Sequence, residues 1–237
     1  MDMQHPVAQK LLKLVEAAGT RIAIHKKSLF DEGGINEEMK LDGTPVTSLD
    51  KEINDLFAAF AEQNDLGFVG EEGNGDYLKK RYVLLVDPID GTAAFVRGMN
   101  TATVIATIME MNSGIGTPVV SFIHEPLHPV TWVGQHGQLT QIISSGKTRN
   151  LLRLDEEVAE PIRAYICSFP GASHNLAKVK TAIEVDRTFS HQELGGFGYS
   201  AGLIACQIMH ASVIGATSAV EAAAMMLVVK GVGGVAI

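Results

Sequence analysis

The sequence predicts a layered α/β protein, an α-β-α-β-α arrangement in which helices and an antiparallel sheet come first and a smaller α/β unit follows. Three observations carry that prediction. An amphipathic stripe opens the chain, β-branched and aromatic segments fill its middle, and strand and helix alternate beyond about residue 150. The turn-rich stretch ISSGKTRN is the natural boundary, dividing the chain into residues 1–145 and 146–237. With 237 residues, 46% of them hydrophobic, the chain can bury one large core or two modest ones and lies far from the composition of disorder.

Taken in order, Val7, Leu11, Leu14, Val15, Ala18 and Ile22 recur at spacings of three and four, as on one face of a helix. Thr47 is placed to cap a second helix with Asp50 three residues on, and Ile53, Leu56, Phe57 and Phe60 give its apolar face. LGFVG and YVLLV read as strands that run into acidic turns. TATVIATIME, TPVVSFIHE and VTWVGQHGQ follow as neighbouring antiparallel strands. Beyond the boundary come a strand in RAYICSF, a helix in HNLAKVKTAIEV and alanine-rich helices from near Ser200 and Ala219.

Net charge and motif content exclude several functions. A formal charge of -8 without Lys or Arg clusters argues against nucleic-acid binding. No uninterrupted apolar span or basic leader is found, so a soluble, cytoplasmic protein without a membrane partner is expected. Cys167 and Cys206 stand apart in apolar surroundings and read as reduced thiols. HEPLH matches a zinc-protease pattern, but Pro126 and Pro129 oppose the helix that pattern needs, leaving His124 and His128 as turn residues after a strand. GGFGYSAG lacks a dinucleotide-binding setting and reads as a turn into a helix.

The acids are harder to explain by packing. Asp50, the pair Glu71 and Glu72, and the pair Asp87 and Asp90 all fall at strand ends or helix starts. Gathering carboxylates at one sheet edge is costly unless a cation lies between them, and an all-oxygen set suits Mg²⁺ or Mn²⁺. Within DPIDGT, Pro88 forces a turn that turns Asp87 and Asp90 to one side and leaves the Ile89 carbonyl free between them. Gly91 and Thr92 then open a short helix whose backbone amides suit an anion.

These residues, GEE at 70–72, DPIDGT at 87–92 and the upstream DGTPVTSLD, resemble the signature of the inositol monophosphatase family of metal-dependent phosphomonoesterases. The resemblance implies the layered sugar-phosphatase fold and Mg²⁺, two or three ions with Mn²⁺ as a substitute, on Glu71, Asp87, the Ile89 carbonyl and Asp90. It further implies that the Gly91 and Thr92 amides hold phosphate and that Thr92 and Asp50, with Glu71, serve catalysis. In SAVEAAAMMLVVKGVGG, Glu221 takes the place of the family's further metal-binding aspartate, with Val220 where that pattern has tryptophan. The small-residue turn at Ser200 and Ala201 corresponds to a substrate-facing segment, and Asp90 is also expected at the substrate. The implied reaction is hydrolysis of a small phosphate monoester, most simply an inositol or sugar phosphate, by a lithium-sensitive homodimer. Fructose 1,6-bisphosphate, 3'(2'),5'-bisphosphate nucleotides and a metal-binding role without turnover remain open alternatives.

Overall fold

The computed structural model describes residues 1–31, 37–40, 45–75, 77, 79–154, 162–167, 189–192, 195–214 and 217–236. Helix α1 (Pro6–Asp31) follows the opening stripe, with Leu11, Val15, Ala18 and Ile22 buried. Strands β1 (Glu37–Met39) and β2 (Pro45–Thr47) pair antiparallel and lead into α2 (Ser48–Gln63). Its start is locked reciprocally: the Thr47 side chain accepts from the Asp50 amide, and the Asp50 carboxylate accepts from the Thr47 amide at 2.8 Å. Two backbone donors without helical partners are satisfied this way. The Asp50 side chain is fixed as a result.

Nearly all the central chain enters one eight-stranded sheet. It comprises β3 (Gly67–Gly70), β4 (Gly73–Asn74) and β5 (Tyr82–Asp90), then, after the short helix α3 (Thr92–Val96), β6 (Thr103–Asn112), β7 (Ile115–Glu125), β8 (Val130–Gln135), β9 (Gln141–Ser144) and β10 (Lys147–Asn150). The spatial order is β10-β9-β8-β7-β6-β5-β3-β4, with β3 and β5 parallel and the other neighbours antiparallel. ISSGKTRN forms the β9–β10 hairpin, turning on Ser145 and Gly146 at φ 51 and 72. Positive φ at both central positions matches the right-handed twist of the flanking strands.

Both faces of this sheet are covered, which explains the uninterrupted apolar run in β5. Leu84 and Val86 enter a core with α1 and α2 residues such as Leu11, Ile53 and Phe57. Val83 and Leu85 enter a second core with α4 (Phe197–Ala205) and α5 (Ala219–Gly231). Adjacent residues on β6 divide in the same manner, Val104 and Ala106 to the first core and Ile105 to the second.

A three-stranded parallel sheet follows, with β11 (Ile162–Cys167) between β12 (Phe189–Gln192) and β13 (Ala211–Ile214). The Ser200 hydroxyl of α4 lies 3.2 Å from that of Ser212 on β13. The helix expected in HNLAKVKTAIEV lies outside the described residues. GGFGYSAG forms the expected turn into a helix, α4.

Candidate metal centre

Residues three apart on a regular strand face opposite ways, so Asp87 and Asp90 converge only because β5 breaks its register. Asp87 pairs with Ile105 but Asp90 pairs with Thr103, so β5 spends one residue more than β6 between those pairs. This bulge contains Pro88, which has no amide to contribute to the ladder. Ile89 turns into the α1–α2 core. The two aspartates meet Glu221, from the first turn of α5, and each of the three offers an oxygen within 4.8 Å of the others.

Asp87 and Asp90 are each only 2% exposed. Among the described residues none of the three carboxylates is paired with a lysine or arginine. Burial, reinforced by neighbouring Glu71 and Asp90, pushes the Asp87 carboxyl well above its ordinary range. Burial pushes Asp90 up to about 7, with Glu221 adding to the effect and hydrogen-bond donors opposing it. Glu221 is raised as well, chiefly by burial. Three unpaired acids with oxygen donors only are costly alone and fit a hard divalent cation well.

Each acid also accepts at least one backbone amide hydrogen bond. The Ile89 amide donates to Asp87 Oδ1 at 3.1 Å. Asp90 receives three bonds, from the Phe197 amide on Oδ1 at 2.8 Å and from the Gly198 amide and the Thr103 hydroxyl on Oδ2 at 2.8 and 2.6 Å. Glu221 caps α5, accepting from the Ser218 amide at 2.6 Å and the Thr217 hydroxyl at 2.9 Å on Oε2.

Beside this cluster Gly91 adopts φ 84, and a Cβ there would lie 3.0 Å from the Gly195 carbonyl, so both conformation and space call for glycine. Thr92 follows at the start of α3. Its hydroxyl lies 3.0 Å from Asp50 Oδ1 and 2.7 Å from the Ile89 carbonyl, and its single proton serves one of them at a time. Burial raises the Asp50 carboxyl, against the lowering effect of its bonds from Thr47 and Thr92. Glu71 is not one of the three but reaches the Asp87 side chain, and it lies 2.7 Å from the Lys40 ammonium, which also lies 2.5 Å from Glu72. Against the lowering effect of burial, the two carboxylates raise the Lys40 pKa above its ordinary value, so it stays protonated.

Two expectations change. Ser200 and Ala201 are fully buried, and the Ser200 hydroxyl donates to the Phe197 carbonyl at 2.7 Å. Helix periodicity turns them inward, and the parts of this segment that reach the acids are the Phe197 and Gly198 amides. His124 is a strand residue, not a turn residue: it lies in β7, its Nδ1 is 2.9 Å from the Thr131 hydroxyl, and Gly19 of α1 leaves room for its ring. Burial lowers its pKa to about 4. Glu125 accepts from the Leu127 and His128 amides at 2.8 and 2.7 Å, so HEPLH is a strand end and a capped turn. Cys206 is a free, half-buried thiol that accepts from the Trp132 indole at 3.3 Å. Lys40 and Thr103 escaped the sequence reading, since neither belongs to a recognisable motif.

The fold recurs in solved structures. Thermotoga maritima IMPase superposes with a TM-score of 0.76 at 20% identity, over 95% of this chain and 82% of that one. The SuhB protein of Bartonella henselae gives the same TM-score at 15% identity, covering 97% and 86%. Among curated proteins, the chloroplastic bifunctional phosphatase IMPL2 of Arabidopsis thaliana is 30% identical over 135 residues, 54% of this chain and 36% of that protein. The 3'(2'),5'-bisphosphate nucleotidase CysQ of Haemophilus influenzae is 24% identical over 188 residues, 74% and 65%. The chain thus spans between about a third and two thirds of these two relatives. The sequence profile of the inositol monophosphatase family matches residues 3–237, and with that span the chain belongs to the inositol monophosphatase family.

Proposed function

We propose that this chain is a phosphomonoesterase, dependent on Mg²⁺ or Mn²⁺, that hydrolyses a small phosphorylated molecule. The observation that carries the reading is the convergence of three unpaired carboxylates, Asp87, Asp90 and Glu221, beside the hydrogen-bonded pair Thr92 and Asp50. Asp87, the Ile89 carbonyl, Asp90 and Glu221 would hold the cation, with Glu71 completing the set from its Lys40-bound position. Divalent ions bound there, two or three in number, would neutralise phosphate charge and make a bound water acidic enough to attack.

The chain's own residues supply the rest. Thr92 donates a hydrogen bond to Asp50, and its oxygen lone pairs are then free to accept from the attacking water and orient it. Asp50, acting through Thr92, and Glu71 would take up protons released as that water is consumed. The Gly91 and Thr92 amides at the start of α3 hold phosphate oxygens. Within residues 146–237, the turn at Gly195 that leads into α4 would contact the substrate's alcohol portion, in place of the buried Ser200 and Ala201 side chains.

An inositol or sugar monophosphate is the first substrate class. A 3'(2'),5'-bisphosphate nucleotide is the second, favoured by the CysQ similarity, which spans more of the chain than the IMPL2 match. We further propose a cytoplasmic homodimer inhibited by lithium; no helix among the described residues is long and apolar enough to cross a membrane. Phosphate release should be measured across inositol, sugar, fructose 1,6-bisphosphate, histidinol and nucleotide phosphates with Mg²⁺ present. Release from one class at least tenfold faster than from the others supports the reading and names the substrate. Absence of release throughout, with Mg²⁺ or Mn²⁺, leaves a metal-binding relative without turnover and rejects it.

A further inference from the structure

Asp90 is more heavily committed than the other acids of the centre. Ionised, its carboxylate offers about four acceptor positions. Two are filled on Oδ2, by the Gly198 amide and the Thr103 hydroxyl, and one is filled on Oδ1, by the Phe197 amide. One position remains, on Oδ1. Thr103 itself is fully buried and stands opposite Asp90 in the β5–β6 register, the first pair after the bulge. Its surroundings leave the hydroxyl little freedom: a Cβ at Gly198 would come within 2.5 Å of Thr103 Oγ1, and one at Gly196 within 3.2 Å of Asp90 Oδ2. The glycines let the α4 amides approach the carboxylate from one side while the strand hydroxyl approaches from another.

We infer that Thr103 is a positioning residue for the cation site. Its hydroxyl, together with the first amides of α4, saturates Asp90 Oδ2 and leaves the carboxylate a one-oxygen ligand directed by Oδ1. The inference rests on reading Asp87, Asp90 and Glu221 as that site. Removing the hydroxyl leaves Oδ2 with an unfilled position in a dry environment. The carboxylate then rotates toward its remaining donors or competes for the cation with both oxygens, and the single geometry is lost. Groups that orient metal ligands in this way commonly account for about 10- to 100-fold in metal affinity.

Calorimetric titration of the full chain with Mn²⁺, repeated with Mg²⁺, tests this on wild type, Thr103→Val, Thr103→Ala and Thr103→Ser. Metal-free melting temperatures recorded alongside separate a structural cost from a ligand-orienting one. Thr103→Val and Thr103→Ala are expected to weaken Mn²⁺ binding by about tenfold or more, whereas Thr103→Ser, which keeps the donor, should stay within about twofold of wild type. Wild-type affinity in either hydroxyl-free variant overturns the inference, as does a serine variant as weak as the valine one. Failure of both hydroxyl-free variants to fold assigns the hydroxyl to the fold and overturns it equally. Wild type that binds neither ion rejects the cation site itself, a result distinguishable from insensitivity at Thr103.

Discussion

Asp90 and Asp87 lie in one motif, yet their substitutions differ in consequence. From sequence alone, Asp90→Asn looks like a clean removal of a metal ligand. In the structure its carboxylate accepts from two amides of α4 and from Thr103, and an asparagine presents an NH₂ group to one of these donors. That mismatch leaves a buried donor unsatisfied, at a cost of about 1–3 kcal/mol, so Asp90→Asn should lose both activity and thermal stability. Asp87 accepts from the Ile89 amide, as an asparagine oxygen also can, and its other close side-chain contact is the like-charged Glu71 carboxylate. Asp87→Asn should therefore raise the melting temperature of the metal-free protein at pH 8 by removing a repelled buried charge. A lower melting temperature would show that Asp87 is stabilised by something other than a cation. Thr92→Ala, which deletes the hydroxyl facing Asp50, should slow turnover by about 10²-fold with little change in melting temperature. An unaltered rate would leave Thr92 a backbone role only.

At the scale of elements, what brings the acids together is one strand irregularity and the starts of three helices. The α2 cap was legible in sequence because Thr47 and Asp50 are three residues apart and helix capping is local chemistry. DPIDGT was legible for the same reason: proline, glycine and two acids within six residues leave few conformations. The attachment of α4 to Asp90 was not, because Phe197 and Gly198 contribute backbone amides, which carry no residue signature, from 107 and 108 positions away. The inward turn of Ser200 and Ala201 was missed because both neighbours, the sheet and β13, cover α4 at once. Gly91→Ala tests this level. Alanine at φ 84 is strained, and its Cβ would press on Gly195 and Gly196. A destabilisation of about 1–3 kcal/mol is expected, read by denaturant unfolding, and an unchanged midpoint would mean that the α3 and α4 starts are not in firm contact.

For the whole molecule, the buried acids make stability depend on pH and on metal together. Asp87, Asp90, Glu221, Asp50 and Glu72 all have raised pKa values in the folded chain, each chiefly through burial. The folded state therefore binds protons more tightly than the unfolded chain between the ordinary carboxylate range near 4 and the Asp90 value of about 7. Stability from these groups is fully present below that window. It is lost as pH rises through it when no cation is bound. A divalent ion bound at the proposed site would replace those protons, so its stabilising effect should grow over the same interval. Melting temperatures in EDTA should fall from pH 5 to pH 8, and the upward shift on adding Mg²⁺ should be larger at pH 8. An equal shift at both values would detach the acid cluster from metal binding.

Phosphate release from the preferred substrate, followed as Mg²⁺ is titrated from zero on wild type, Asp87→Asn and Glu221→Gln, tests the central claim most directly. Release that requires Mg²⁺ in wild type, falls at least about 10²-fold in Asp87→Asn and needs more Mg²⁺ in Glu221→Gln is the predicted result. Release independent of Mg²⁺, or unchanged in both variants, would contradict the assignment of these carboxylates to a catalytic cation.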